Sequence, residues 1–83
     1  MSTTFAIITI VKRIEIDPEK LRRARHHQGY SLREFGRISS TNHNQLWMYE
    51  NGRRNPQPRV IRRLAEALGV EVRDLLREDD GDK

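Results

Sequence analysis

Apolar residues fall into two regimes along the chain. Between Thr4 and Ile16 they are dense and largely β-branched: Ile7, Ile8, Thr9, Ile10, Val11, Ile14 and Ile16. Ile14 and Ile16 alternate around Glu15, and the stretch predicts one strand over residues 4–16. From Asp17 onward the apolar positions recur every three or four residues, the period of an amphipathic helix. No second strand candidate follows. The pattern therefore predicts a mainly α fold with an extra N-terminal β-strand. Residues 1–16 form a strand or arm, 17–77 a compact five-helix domain, and 78–83 an acidic flexible tail.

Local signals place the helix ends. Asp17-Pro18 reads as an N-cap followed by proline at the first helical position. The first helix then runs from Pro18 to about Gln28, burying Leu21, Ala24 and the stem of Arg25. Gly29 closes it in a left-handed cap. Ser31 caps the second helix, and Glu34 completes a capping box. That helix is expected to present Leu32, Phe35 and Ile38. Ser39-Ser40-Thr41-Asn42 is turn chemistry, with Asn42 able to cap a third helix over about His43 to Glu50. Leu46 and Tyr49 form its inner stripe, and Asn51-Gly52 stops it. Pro58 opens a fourth helix whose inner side is Ile61, Leu64, Ala65 and Leu68, ended by Gly69. Val70, Val72, Leu75 and Leu76 predict a short fifth helix.

At 83 residues the chain has room for one small domain. A deep catalytic cleft is hard to build from so few buried residues. Of 16 Lys and Arg and 12 Asp and Glu, the last six residues hold four acids and one base. Residues 1–77 are left with 15 bases against 8 acids, a balance that favours a polyanionic partner, most often nucleic acid. There is no Cys, so neither a disulfide framework nor a cysteine metal site is available. The apolar run Phe5–Val11 is too short for a bilayer, which takes about 20 residues. It has neither the basic lead nor the cleavage site of a signal peptide. A cytoplasmic protein is expected.

The second helix, the polar turn and the third helix can be tested against what a helix-turn-helix requires. The helices cross closely, so one position in the first must be small, and Gly36 supplies it. The second must dock by an i, i+3 stripe, here Leu46 and Tyr49. Its outer face must carry polar side chains toward a major groove. His43, Asn44, Trp47 and Met48 lie on that face, with Gln45 at its margin.

With those residues in register, the chain resembles the Cro/phage-repressor type (XRE-like) of helix-turn-helix regulator over about residues 18–77. The resemblance rests on Gly29-Tyr30-Ser31-Leu32-Arg33-Glu34-Phe35-Gly36, on Leu46-x-x-Tyr49-Glu50-Asn51-Gly52-Arg53-Arg54-Asn55-Pro56, and on Leu64-Ala65-Glu66-Ala67-Leu68-Gly69-Val70. Two departures stand out. The family usually has an apolar residue, Gly and an apolar residue where this chain has Ser39, Ser40 and Thr41. Leu32 replaces a common Gln at the start of the second helix. A left-handed Ser40 costs about 1 kcal/mol relative to Gly, which leaves the aim of the third helix open.

The resemblance implies a sequence-specific duplex-DNA-binding transcriptional regulator, repressor or Cro-like, of bacterial or phage origin. It implies base reading by His43, Asn44, Gln45, Trp47 and Met48. Phosphates would be held by Ser31, Asn42, Asn51, Arg53, Arg54 and Arg59, and by backbone N–H groups at helix N-termini. Asn and Gln suit bidentate pairing with adenine, and Trp47 and Met48 suit thymine methyls. A solvated helix face is the alternative for His43, Asn44 and Gln45. Trp47 could instead fold against the second helix or a neighbouring subunit. Arg22, Arg23, Arg25, Arg62 and Arg63 read as solvated faces, and Glu34 and Glu50 as structural partners of arginine. His26 and His27 read as partners of the C-terminal helix dipole. No cofactor is implied, and no nucleophile–base set, metal cluster or phosphate loop marks an enzyme.

A lone strand leaves backbone groups unpaired. Pairing of Ile7, Ile8, Thr9, Ile10 and Val11 with the same strand of a second subunit would give a homodimer suited to a palindromic operator. A strand lying across the helices, or a disordered arm, is the alternative, and the fifth helix is the competing interface. Two other functions stay open: an antitoxin that represses its own operon while binding a toxin, and a protein-interaction adaptor with the same fold.

Overall fold

A computed structural model describes residues 14–78. The predicted caps act where the sequence puts them. Asp17 Oδ1 accepts the N–H groups of Glu19 (2.9 Å) and Lys20 (3.4 Å), opening α1 (Pro18–His27). The Ser31–Glu34 capping box opens α2 (Leu32–Ser39), with both reciprocal hydrogen bonds formed. Asn42 Oδ1 accepts from the Asn44 N–H at 2.7 Å and opens α3 (His43–Glu50). Pro58 begins α4 (Pro58–Leu68), which Gly69 ends at φ 71°, a left-handed conformation that glycine adopts without a Cβ clash.

The inner stripes meet in one core: Ile16, Leu21, Phe35, Leu46, Tyr49, Ile61, Leu64, Ala65, Leu68 and Leu75. Each large side chain taken from water contributes about 1.5–3 kcal/mol before entropy is charged against it. One charged pair lies among them. Arg25 of α1 donates to Glu50 of α3 in a two-pronged fork, Nε to Oε2 at 2.6 Å and Nη2 to Oε1 at 2.9 Å. Its third nitrogen donates to the Tyr30 carbonyl at 2.8 Å. Glu50 is thus a structural partner of arginine, and Arg25 is a buried tie between helices rather than part of a solvated face.

Several expectations are corrected. Among the described residues there are four α-helices and a short 3₁₀ helix, Val72–Leu75, in place of a fifth α-helix. That segment stops after one turn because Leu76 becomes extended and forms an isolated antiparallel bridge with Ile16. No strand occurs among the described residues. Of the strand expected at 4–16, residues 14–16 are described. Ile16 is extended but has this single bridge, flanked by hydrogen bonds from Asp17 N to Leu75 O (2.8 Å) and Arg77 N to Glu15 O (2.9 Å). Pairing ends there because Pro18 starts a helix two residues later. The opposite edge is covered by Asn55, whose amide accepts from Ile16 N (2.8 Å) and donates to Ile14 O (3.0 Å). So this end of the segment does find partners within the chain. The dimer segment Ile7, Ile8, Thr9, Ile10 and Val11 lies outside the described residues, as do residues 79–83 of the acidic tail.

Ile38, expected inward, is 48% exposed. Ser39 takes the buried position instead, because residues 32, 35 and 39 fall on one helical stripe. Its hydroxyl is satisfied by the Phe35 carbonyl at 2.6 Å. No helix among the described residues is long and apolar enough to cross a membrane.

Candidate nucleic-acid interface

The turn between α2 and α3 packs back on Gly36, within α2. A Cβ built there would stand 2.6 Å from the Thr41 carbonyl oxygen and 3.4 Å from the His43 nitrogen. The small residue is therefore needed for the turn and the start of α3 to fold back onto α2. Thr41 N donates to Gly36 O at 2.8 Å and locks that approach. Ser40 occupies the left-handed region at φ 58°, ψ 42°, a conformation that glycine adopts without a Cβ clash.

Arg63 of α4 reaches this turn. Its Nε donates to Ser39 O at 2.9 Å, and Nη2 donates to Ser40 O and Thr41 Oγ1, each at 3.2 Å. This corrects the reading of Arg63 as part of a solvated face. The sequence carried no signal for it, since Arg62 and Arg63 are adjacent arginines that differ only in which side of α4 they leave. At the other end of α3, Arg22 donates to the Glu50 carbonyl at 3.3 Å. Together with the Arg25–Glu50 fork, it ties that end to α1.

Held at both ends, α3 buries Leu46, Tyr49 and Glu50 and turns the rest outward. Asn44 is exposed, His43, Gln45 and Met48 are half-buried, and Trp47 is 46% exposed. Trp47 does not fold into the core of its own chain. Asn44, Trp47, Met48 and Asn51 follow one helical stripe, and Gln45 lies beside it.

The loop after α3 bends back along this face. The Arg53 guanidinium carbon lies 5.8 Å from the centre of the Trp47 ring, within cation–π range. Arg54 Nη1 donates to Gln45 Oε1 at 3.3 Å. Asn51 donates to the Trp47 carbonyl at 2.8 Å, so its amide caps α3. Ser31 and Asn42 are exposed helix caps, and Arg59 is exposed on the first turn of α4. The expected base readers and the loop arginines thus share one surface, while Ser31 and Arg59 stand at its margins on other helices.

Two arginines not assigned from sequence stand near the same surface. Arg33 and Arg37, one turn apart on α2, line an open cleft of about 290 Å³ with Gly36, Ser40, Thr41, Asn42 and His43. Neither forms an ion pair with another described residue. Among the described residues no group of His, Asp and Glu is placed to hold a metal ion.

Residues 19–78 match the model of a helix-turn-helix domain family. No curated protein matches the chain significantly. Among solved structures, the chain is similar to the restriction-modification controller protein C.AhdI from Aeromonas hydrophila. The TM-score is 0.67 at 30% identity, over 69% of this chain and 86% of that one. It also shares its fold with a hypothetical transcription factor, NHTF, from Neisseria. There the TM-score is 0.67 at 22% identity, over 87% of this chain and 92% of that one.

Proposed function

Because the chain belongs to the helix-turn-helix domain family of DNA-binding transcriptional regulators, which are not enzymes, we propose that it binds duplex DNA sequence-specifically with α3 in the major groove. The observation that carries this is the division of α3: Leu46, Tyr49 and Glu50 are buried, while Asn44, Trp47 and Met48 are turned outward beside Gln45. Asn44 has the donor and acceptor needed for an adenine edge, and Trp47 and Met48 offer apolar contact to thymine methyls. His43 stands at the groove end of the helix. Each well-made base contact contributes about 1–3 kcal/mol of discrimination.

The reading face has no Lys or Arg of its own. Affinity comes from Arg53, Arg54 and Arg59, with Asn42, Asn51 and Ser31 fixing the register on phosphates. The likeness to a restriction-modification controller supports a regulatory role, and the proposed mode is occlusion of a promoter, in the manner of a repressor or Cro-like protein. The proposal includes a homodimer on a palindromic operator, paired through Ile7, Ile8, Thr9, Ile10 and Val11. Selection of bound sequences from a random duplex library at about 150 mM salt tests the whole reading. A defined motif with two-fold symmetry is the expected result. Equal recovery of all sequences would mean a nonspecific DNA coat, and no binding would point to a protein-interaction adaptor.

A further inference from the structure

The turn that aims α3 is polar throughout, from Ser39 to Asn42. The left-handed position holds Ser40, at φ 58°, where a Cβ is strained. The residues around it are polar, so apolar packing does not pin them. Something else must hold the turn in one conformation. Backbone hydrogen bonds from Thr41 N to Gly36 O and from Ser40 N to Arg37 O close the turn locally, and Arg63 is the side chain that ties it to another helix. It projects from α4, whose Ile61, Leu64, Ala65 and Leu68 are anchored in the core. Its fork spans three consecutive residues through Ser39 O, Ser40 O and Thr41 Oγ1. Two of those acceptors are carbonyls at the end of α2, where a cation is also favoured by the helix dipole. Thr41 is in turn the residue whose carbonyl presses on Gly36, and its hydroxyl donates to Ser39 O at 3.2 Å. A chain of contacts therefore runs from the core through Arg63 and Thr41 to the first residue of α3.

We infer that Arg63 is a positioning residue for base recognition: it fixes the orientation of α3 through the Ser39–Thr41 turn without touching DNA. The inference rests on the reading of α3 as the groove helix. Arginine is required for its geometry, because a planar fork with a donating Nε can span three acceptors and a lysine ammonium at the end of a shorter reach cannot.

The test compares wild type with Arg63→Met and Arg63→Lys, each checked for folding by circular dichroism. Three measurements are made: amide chemical shifts of Ser40, Thr41 and His43 in free protein, affinity for the selected duplex and for single-base-pair variants of it, and the salt dependence of binding. Wild type should prefer its selected duplex over a one-base-pair variant by about tenfold or more. Both Arg63 variants should shift the turn amides and reduce that preference to about threefold or less. Affinity for unrelated duplex and the salt slope should stay nearly unchanged. Full discrimination in a folded variant would overturn the inference. So would uniform weakening with a flatter salt slope that Lys restores, which would make Arg63 a phosphate contact. Should Arg63→Met fail to fold, Arg63→Lys alone gives the same decision. Absence of any sequence preference in wild type would instead defeat the groove-helix reading itself, and the Arg63 role in specificity with it.

Discussion

Asn44 and Arg54 lie about three turns' worth of chain apart yet on the same surface, and they should fail differently. Asn44 is exposed on α3, and its side chain has no partner among the described residues that truncation would disturb. Asn44→Ala should relax preference at one or two operator positions, costing about 1–3 kcal/mol there and little elsewhere. Arg54→Ala should weaken binding to all sequences alike and reduce the salt slope by about 1. Titrations of cognate and mutated duplexes at several salt concentrations check both, and the opposite pattern would reverse the two roles. The buried fork makes a separate prediction about stability. Glu50→Ala leaves the Arg25 guanidinium buried without its anion and should cost about 3–5 kcal/mol in urea unfolding. Replacing both residues, Arg25→Met with Glu50→Leu, should recover most of that loss, because the desolvation cost of both charges disappears with them.

The α2–turn–α3 element is where small substitutions should have large functional effects. Gly36→Ala sets a methyl group 2.6 Å from the Thr41 carbonyl oxygen, and backbone has to move to admit it. A loss of about 1–3 kcal/mol in stability is expected, together with poorer discrimination among duplexes, since His43 and the start of α3 move with the turn. Ser40→Gly acts in the other direction. It relieves about 1–2 kcal/mol of left-handed strain but adds freedom to the unfolded chain, about 0.5–1 kcal/mol. The net gain should lie between about 0 and 1.5 kcal/mol, each 1 kcal/mol raising Tm by about 4–8 °C for a domain of this size. A fall in Tm on Ser40→Gly would mean that the Ser40 backbone is not strained as its dihedral angles indicate.

For the whole molecule, the junction around Ile16 separates the helical domain from what precedes it. Ile16 is bonded on one side by Leu75–Arg77 and on the other by Asn55. Deleting residues 1–13 should therefore leave the helical domain folded. If Ile7 to Val11 pair two subunits, the deletion should halve the molar mass measured by light scattering. A truncated protein that stays dimeric would move the contact to the helical domain. Asn55→Ala removes both side-chain bonds to residues 14 and 16 and should lower stability by about 1–2 kcal/mol.

The helix ends and the inner stripes were legible along the chain itself. Asp17-Pro18, Ser31 with Glu34, Asn42, Pro58 and Gly69 act through neighbours within a few residues, so local chemistry determines them. The docking pair Leu46 and Tyr49 follows from helical periodicity for the same reason. Ile38 was misjudged because being apolar does not settle which side of a helix a residue occupies, and the polar Ser39 held the inner stripe with its hydroxyl satisfied within the helix. What only the tertiary structure decided lies at long sequence separation. Arg63 clasps a turn more than twenty residues earlier, Asn55 and Leu76 pair the Ile16 segment, and Arg53 and Arg54 fold back along α3. An arginine on a helix surface has the same local pattern whether it faces water or a row of carbonyls. Only the packing of α4 against α2 distinguishes the two, and with that packing comes the aim of α3.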